Sequence, residues 1–171
     1  MPELESVWPP AAIRTDRLVL REPELRDRAG IIDLFASPEV GTYLGGARPR
    51  EELEQTIPEV PNRRPGLFLV DLDGAMIGIV MLDQLGAEHP HQVGPDIELG
   101  YMFLPQAWGF GYAAEACAAA LDWFAGVFPG ESVVLCTQTA NDQSMRVAAK
   151  LAFAEVKRFE EYGAEQWLGV R

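Results

Sequence analysis

Gln106-Ala107-Trp108-Gly109-Phe110-Gly111-Tyr112-Ala113 lies between an extended, largely apolar run, Ile97-Glu98-Leu99-Gly100-Tyr101-Met102-Phe103-Leu104, and a stretch with helical spacing. Pro105 ends the extended run because proline lacks a ladder donor. Beyond the glycines, Ala113, Ala116, Cys117, Ala120, Leu121, Phe124 and Phe128 recur close to three- and four-residue intervals, as one buried face of a helix does. Strand, glycine-bearing turn and helix in that order form a place to hold a phosphate. The first helical turn leaves backbone N–H groups without internal partners and carries partial positive charge. Gly109 and Gly111 have no Cβ to keep an anion from the backbone.

Spacing decides among the folds that use such a cradle. A dinucleotide site of the form Gly-x-Gly-x-x-Gly needs a third glycine at position 114, where the chain has Ala114, and no acidic residue closes a following strand at the required distance. The lysine and hydroxyl of a Walker loop are also missing. What fits is Gln-x-x-Gly-x-Gly, which resembles the pyrophosphate loop of the GNAT superfamily of acyl-CoA-dependent N-acetyltransferases. Thr15-Asp16-Arg17-Leu18-Val19-Leu20-Arg21 is similar to the opening strand of the branch that includes the ribosomal-protein-alanine N-acetyltransferases, and Trp108 to Ala116 is similar to its loop and helix start. Asn141-Asp142-Gln143-Ser144, followed by Lys150-Leu151-Ala152-Phe153, resembles its last helix. The family has glycine where this chain has Ala152, so that helix is expected to end without the left-handed cap that glycine gives.

The resemblance implies an α/β (α+β) fold: a mixed, mostly antiparallel central sheet flanked by helices, with two central strands splayed apart and the pantetheine arm of acetyl-CoA in the gap. It implies that backbone groups of Met102, Phe103 and Leu104 pair with that arm as an added strand would. N–H groups of Trp108, Gly109, Phe110, Gly111, Tyr112 and Ala113 would hold the pyrophosphate. Gln106 and Trp108 would shape the loop, and a purely packing Trp108 reads equally well. Arg146 and Lys150 are candidate partners for the nucleotide phosphates. Asn141 would cap its helix, touch the pantetheine, or do both.

Acetyl transfer needs an unprotonated amine, whereas α-amines have a pKa near about 8 and lysine near about 10.4. Glu98, on the strand before the loop, is the candidate base, commonly acting through water, with Asp96 in reserve. Strand alternation puts Glu98, Gly100 and Met102 on one face, so the competing reading is a carboxylate solvated at a sheet surface. Many family members protonate the departing thiolate with a tyrosine seven residues after the asparagine of the last helix; here that position is Ala148. The named branch has a serine three residues after the asparagine, matching Ser144. Its hydroxyl would donate to the thioester sulfur, or else only satisfy the first helical turn beside Asn141 as N-cap. Tyr162 is a weaker acid candidate. Without a Ser-His-Asp or Cys-His arrangement, transfer is expected to run directly from acetyl-CoA to a bound primary amine, a protein N-terminal α-amine or a small molecule. A strand N–H near Met102 would hold the oxyanion. The competing classes are a noncatalytic acyl-CoA-binding protein of the same fold and an unrelated nucleotide binder.

Composition suits one enzyme-sized domain: 171 residues, 48% hydrophobic and 23% charged. A net charge of -12 argues against nucleic acid, whose backbone is bound through clustered Lys and Arg; it would attract an amine, and it reads at least equally well as a device for solubility alone. No stretch approaches the roughly 20 apolar residues of a membrane span, and no secretory signal is visible, so a cytoplasmic protein without a membrane partner is expected. Cys117 and Cys136 read as core residues. His89-Pro90-His91 has ligand-type side chains, but no third histidine or cysteine supports a metal, and its surroundings read as a surface loop. No metal is expected, and the oligomeric state is left as monomer or homodimer.

Along the chain, residues 1–12 are proline-rich and expected to be a flexible lead-in, with a single domain over 13–171. Arg17 to Arg21 reads as a strand. Glu24 to Ala36 reads as a helix with Leu25, Ala29, Ile32 and Phe35 on its buried face, followed by a short helix at Arg50 to Ile57. Asp73-Gly74 is a two-residue hairpin turn between Leu67 to Val70 and Met76 to Leu82. A strand at Val133 to Thr137, a helix at Asp142 to Leu151 and a closing hairpin from Glu155 to Val170 complete the chain. Val40 to Arg48 and residues 86–96 are the loops expected to wall the acceptor.

Overall fold

A computed structural model describes residues 2–85 and 97–171. Asp96, His89-Pro90-His91 and the second acceptor-wall loop fall outside the described residues. Eight strands form one sheet: β1 (Ile13–Arg14), β2 (Leu18–Arg21), β3 (Leu67–Leu72), β4 (Ala75–Gln84), β5 (Ile97–Phe103), β6 (Val133–Gln138), β7 (Ala154–Glu161) and β8 (Ala164–Val170). Their order across the sheet is β1-β2-β3-β4-β5-β6-β8-β7. Every neighbouring pair is antiparallel except β5 with β6. The helices are α1 (Arg28–Ala36), α2 (Pro38–Gly41), α3 (Arg50–Thr56), α4 (Tyr112–Val127) and α5 (Asp142–Lys150). The sheet is thus mixed, mostly antiparallel and flanked by helices.

Alternation along the strands builds two apolar layers. Leu20, Val70, Val80, Leu99 and Phe103 pack with Ala116, Cys117, Ala120, Leu121 and Phe124 of α4 on one face. Leu69, Ile79 and Leu104 pack with Ile31 and Leu34 of α1 on the other. The expected α4 face is the buried one, because its small residues let the helix approach the sheet closely. The β3–β4 turn is also as expected: Asp73 and Gly74 take φ of 50° and 81°, the left-handed pair that a tight hairpin demands.

Three expectations are corrected. Leu25 is 57% exposed, because the chain from Glu24 to Asp27 makes a 3-10 turn closed by reciprocal side-chain caps, and the α-helix begins only at Arg28. The first dozen residues do not stand off the domain: Leu4 is buried, and the Trp8 ring packs edge-on against Phe68 and Trp123. Ala152 adopts φ of 63° despite its Cβ. The bonds from the Phe153 N–H to the Ala148 carbonyl and from the Ala152 N–H to the Ala149 carbonyl complete a Schellman ending for α5. The need to satisfy those two carbonyls overrides the residue's own preference.

Below the sheet edge, Arg21 joins two acids that the fold buries. Its guanidinium bonds Asp27 at 2.7 and 2.8 Å and Asp71 at 2.8 Å twice, while Arg26 adds a 2.7 Å bond to Asp71. Asp27 has no exposed side-chain surface. A carboxylate there is tolerable only because it is fully paired.

A left-handed alanine costs about 1 kcal/mol relative to glycine, partly offset by the greater unfolded-state entropy of glycine. Ala152→Gly is therefore expected to stabilise the protein by about 0.5 kcal/mol, read as a higher urea midpoint at unchanged slope.

Candidate active site

β5 and β6 are in register only at Ile97↔Val133 and Glu98↔Val134. Beyond that second rung the two strands part, while β5 keeps its full register with β4 and β6 keeps its own with β8. The parting leaves a wedge whose closed end is at Glu98 and whose open end leads to the glycine turn.

Which backbone groups line the wedge follows from one hydrogen bond. The Leu104 N–H donates to Ile77 O at 2.9 Å, so the Leu104 backbone faces β4, and antiparallel alternation turns Met102 the same way. Tyr101 and Phe103 therefore turn their backbone toward β6. The three expected pairing residues thus differ in facing: the Met102 and Leu104 backbone faces β4, whereas that of Phe103, like that of Tyr101, faces β6. The Phe103 carbonyl already accepts the Trp108 indole N–H at 2.8 Å, which makes Trp108 a brace between loop and strand.

The turn itself is built by its glycines. Gly109 and Gly111 have φ of 86° and 81°, and Gly111 is the N-cap of α4. Glycine has no side chain with which to cap, so among the described residues no side-chain cap satisfies the amides of the first turn, Tyr112 and Ala113 among them. The Trp108 N–H, expected among the phosphate ligands, instead closes the preceding 3-10 turn onto Pro105 O at 3.1 Å. Gln106 is exposed beside that turn, and Phe110 is 57% exposed and stacked on Tyr112.

Arg17 supplies a charge that sequence reading did not assign to the site. Its guanidinium donates to Phe110 O at 2.9 Å and sits 4.5 Å over the Tyr112 ring. Glu115, one turn into α4, holds Arg17 through its Nε at 2.7 Å and its backbone N–H at 3.2 Å, and accepts the Thr15 hydroxyl at 2.5 Å. A Cβ built on Gly111 would lie 3.6 Å from the Arg17 guanidinium and 4.0 Å from Lys150 Nζ. Two cations thus flank the one residue where the helix opens. Arg146 is exposed on α5.

At the closed end, Glu98 is half-buried on β5, opposite Asp83 on β4. Cys136 on β6 is pushed up to about 11 by burial and then by the charges of Glu98 and Glu161, so it is no nucleophile at neutral pH. On the α4 side of the wedge, the Tyr101 hydroxyl donates to Ser144 Oγ at 2.8 Å. Asn141 Oδ1 accepts the Ser144 N–H at 3.2 Å and is the N-cap of α5. Ala148 is buried, and its methyl side chain has no proton to give. Tyr162 stands 91% exposed at the β7–β8 turn, its hydroxyl raised by Glu161 and so made a weaker acid.

The segment after α2 reaches the far bank. Tyr43 OH donates to Ala140 O at 3.2 Å, and Gln138 Nε2 donates to Tyr43 O at 3.4 Å. Sequence gives no signal for this tether, since the partners are nearly a hundred residues apart. Among the described residues, no group of three or more His, Cys, Asp or Glu is placed to hold a metal ion, and no helix is long and apolar enough to cross a membrane.

A wedge between parting strands that runs into a glycine-opened helix defines an acyl-CoA-dependent transferase fold. The family model described as an acetyltransferase (GNAT) domain matches residues 17–154. An uncharacterised Bacillus subtilis protein, YkkB, is 30% identical over 153 residues, covering 86% of this chain and 88% of its own. Among solved structures, a GNAT-family acetyltransferase from Bacillus anthracis superposes with a TM-score of 0.76 at 21% identity, covering 94% of this chain and 98% of that one. An acetyltransferase from Salmonella typhimurium that modifies the N-terminal serine of ribosomal protein L7/L12 gives 0.71 at 15% identity, with 94% and 98% covered. Spermidine N-acetyltransferase from Vibrio cholerae, in complex with CoA and spermine, gives 0.70 at 18% identity, with 92% and 96% covered. The chain belongs to the GNAT family and is an acetyl-CoA-dependent N-acetyltransferase.

Burial raises the Glu115 carboxyl, but the bonds from Thr15 and Arg17 outweigh it and hold the group below its usual range. A depressed folded value means the stabilisation is complete above the unfolded value of about 4.3 and is lost as pH falls through the folded one. Glu115→Gln is expected to cost about 1 kcal/mol at neutral pH. That difference from wild type should shrink toward zero in urea titrations carried progressively below pH 4.

Proposed function

We propose that the chain binds acetyl-CoA along the wedge and transfers its acetyl group directly to a primary amine, either a protein N-terminal α-amine or a small molecule. The single observation that carries this is the end of the β5–β6 ladder after Glu98, which leaves the Tyr101 backbone and the Phe103 N–H turned toward β6 without a rung there, on the strand that leads to the α4 N-terminus. A pantetheine arm carries amides that match those groups as an added strand would. The pyrophosphate would meet the amides from Gly109 to Ala113, with Arg17 and Lys150 supplying the positive charge that the acidic chain otherwise lacks there.

Glu98 is the base of this reading: a half-buried carboxylate at the closed end of the wedge, able to take the amine proton directly or through water. A strand N–H beside the thioester carbonyl holds the oxyanion as the tetrahedral centre forms. When the C–S bond breaks, its electron pair goes to sulfur, and Ser144 donates a hydrogen bond to the departing thiolate. Two neighbours in fold act on amines: one modifies an N-terminal serine, and the other is named for spermidine and holds spermine with CoA. The acceptor here is taken to be of that chemical kind, drawn in by the net charge of -12.

Acetyl-CoA and CoA are expected to raise the melting temperature saturably, whereas ATP and NAD are not. A thiol-release screen over N-terminal peptides and polyamines should then find turnover. Glu98→Gln is expected to lower kcat by about 10²-fold, with the KM for acetyl-CoA unchanged. Full activity in Glu98→Gln would reject Glu98 as the base.

A further inference from the structure

We infer that Tyr101 is a positioning residue for thioester cleavage: by donating to Ser144 across the wedge, it leaves the single Ser144 proton to be directed at the sulfur of bound CoA. The inference rests on the acetyl-CoA reading above. It concerns a residue on the strand, whereas the acid that many relatives use would stand at Ala148 and is missing here.

The hydrogen-bond inventory of Ser144 decides the point. A serine hydroxyl has one proton to give and two lone pairs. Its usual duty near a helix start, capping the first turn, is already performed by Asn141, whose Oδ1 takes the Ser144 N–H. Tyr101 fills one of the Ser144 lone pairs from a position three residues beyond Glu98 on β5, joining residues 43 apart in sequence. With Tyr101 donating, the Ser144 hydroxyl makes no hydrogen bond to any third group among the described residues. An acceptor arriving between β5 and β6, such as a thioester sulfur or a thiolate, would complete the set.

Tyr101 is suited to hold this proton order fixed and unsuited to be the acid itself. Burial, aided by Cys117 of α4, pushes its hydroxyl up to about 12 although the Ser144 contact acts in the opposite sense. Giving its proton to a thiolate of ordinary thiol pKa, about 8.5, would run uphill by about 3.5 units. Tyr101 therefore stays neutral and donating through the reaction. Ser144 gives a hydrogen bond and not its proton, the amine proton goes to Glu98, and the thiolate takes its final proton from solvent.

The other titratable groups around the wedge are Glu98 and Asp83 on β5 and β4, Cys136 on β6, Glu161 on β7 and Cys117 on α4. The test reads CoA alone, so that none of these is mistaken for it. Wild type, Tyr101→Phe, Ser144→Ala and the double variant are each held in excess over CoA so that nearly all of it is bound, and its alkylation by iodoacetamide is followed against pH by mass spectrometry of the CoA product. A hydrogen bond from Ser144 favours the thiolate, so the bound thiol of wild type is expected to titrate about 0.5 to 1 unit below that of Tyr101→Phe. Ser144→Ala should raise it by the same amount, and the double variant no further. Melting curves with and without CoA confirm that each variant is folded and loaded, which a merely structural role of the tyrosine would alter instead of the thiol titration. An unchanged thiol in Tyr101→Phe, or a double variant that sums the two single effects, overturns the inference. Should Tyr101→Phe fail to fold, an unchanged thiol in Ser144→Ala overturns it equally. Failure of wild type to bind CoA would instead reject the acetyl-CoA reading, and this inference with it.

Discussion

The site depends on where two strands stop pairing. A parallel rung between β5 and β6 at Glu98 and Val134 is the last, and everything useful lies just past it. Continued pairing would satisfy the Tyr101 and Phe103 backbone internally and leave no space for a ligand. What holds the strands apart is not a strain in either one. Each is fully engaged on its outer side, β5 with β4 and β6 with β8, so each can leave the other without losing its place in the sheet. Polar backbone left unpaired in this way is costly unless water or a ligand completes it, which is why the proposed function makes the opening the binding device.

A second constraint is electrostatic. A chain of net charge -12 has to accept a cosubstrate that is itself anionic, and whole-molecule attraction works against it. The answer is local. The start of a sixteen-residue helix is left without a side-chain cap, glycines bring its amides within reach, and Arg17 is drawn onto the loop by Glu115 from the start of β2. Glu115 thus adds negative charge to the molecule while placing a positive one where it is needed. The Thr15 bond to the same carboxylate ties strand β2, helix and loop into one unit.

Much of this was legible in the sequence, for identifiable reasons. The apolar spacing from Ala113 to Phe124 could only be a buried helical face, the Asp73-Gly74 pair could only be a tight turn, and the loop was distinguishable by the positions of its glycines. Other features were not legible, because they depend on which side of a strand a backbone group faces or on contacts between distant residues. Met102 and Leu104 are adjacent to Phe103 in sequence, yet point the other way across the ladder, a fact settled by the bond from Leu104 to Ile77. Tyr101 meets Ser144, and Tyr43 meets Ala140, only through the fold. Ala152 shows local preference losing to the demand of two helix carbonyls.

Amide hydrogen exchange at single-residue resolution, with and without acetyl-CoA, tests the central claim most directly. If the arm of the cosubstrate completes the wedge as a strand would, the Tyr101 and Phe103 amides become protected on binding, while Met102 and Leu104, already bonded to β4, are protected in both states. Binding that left Tyr101 and Phe103 exchanging at their unliganded rates would contradict the account and move the cosubstrate out of the wedge.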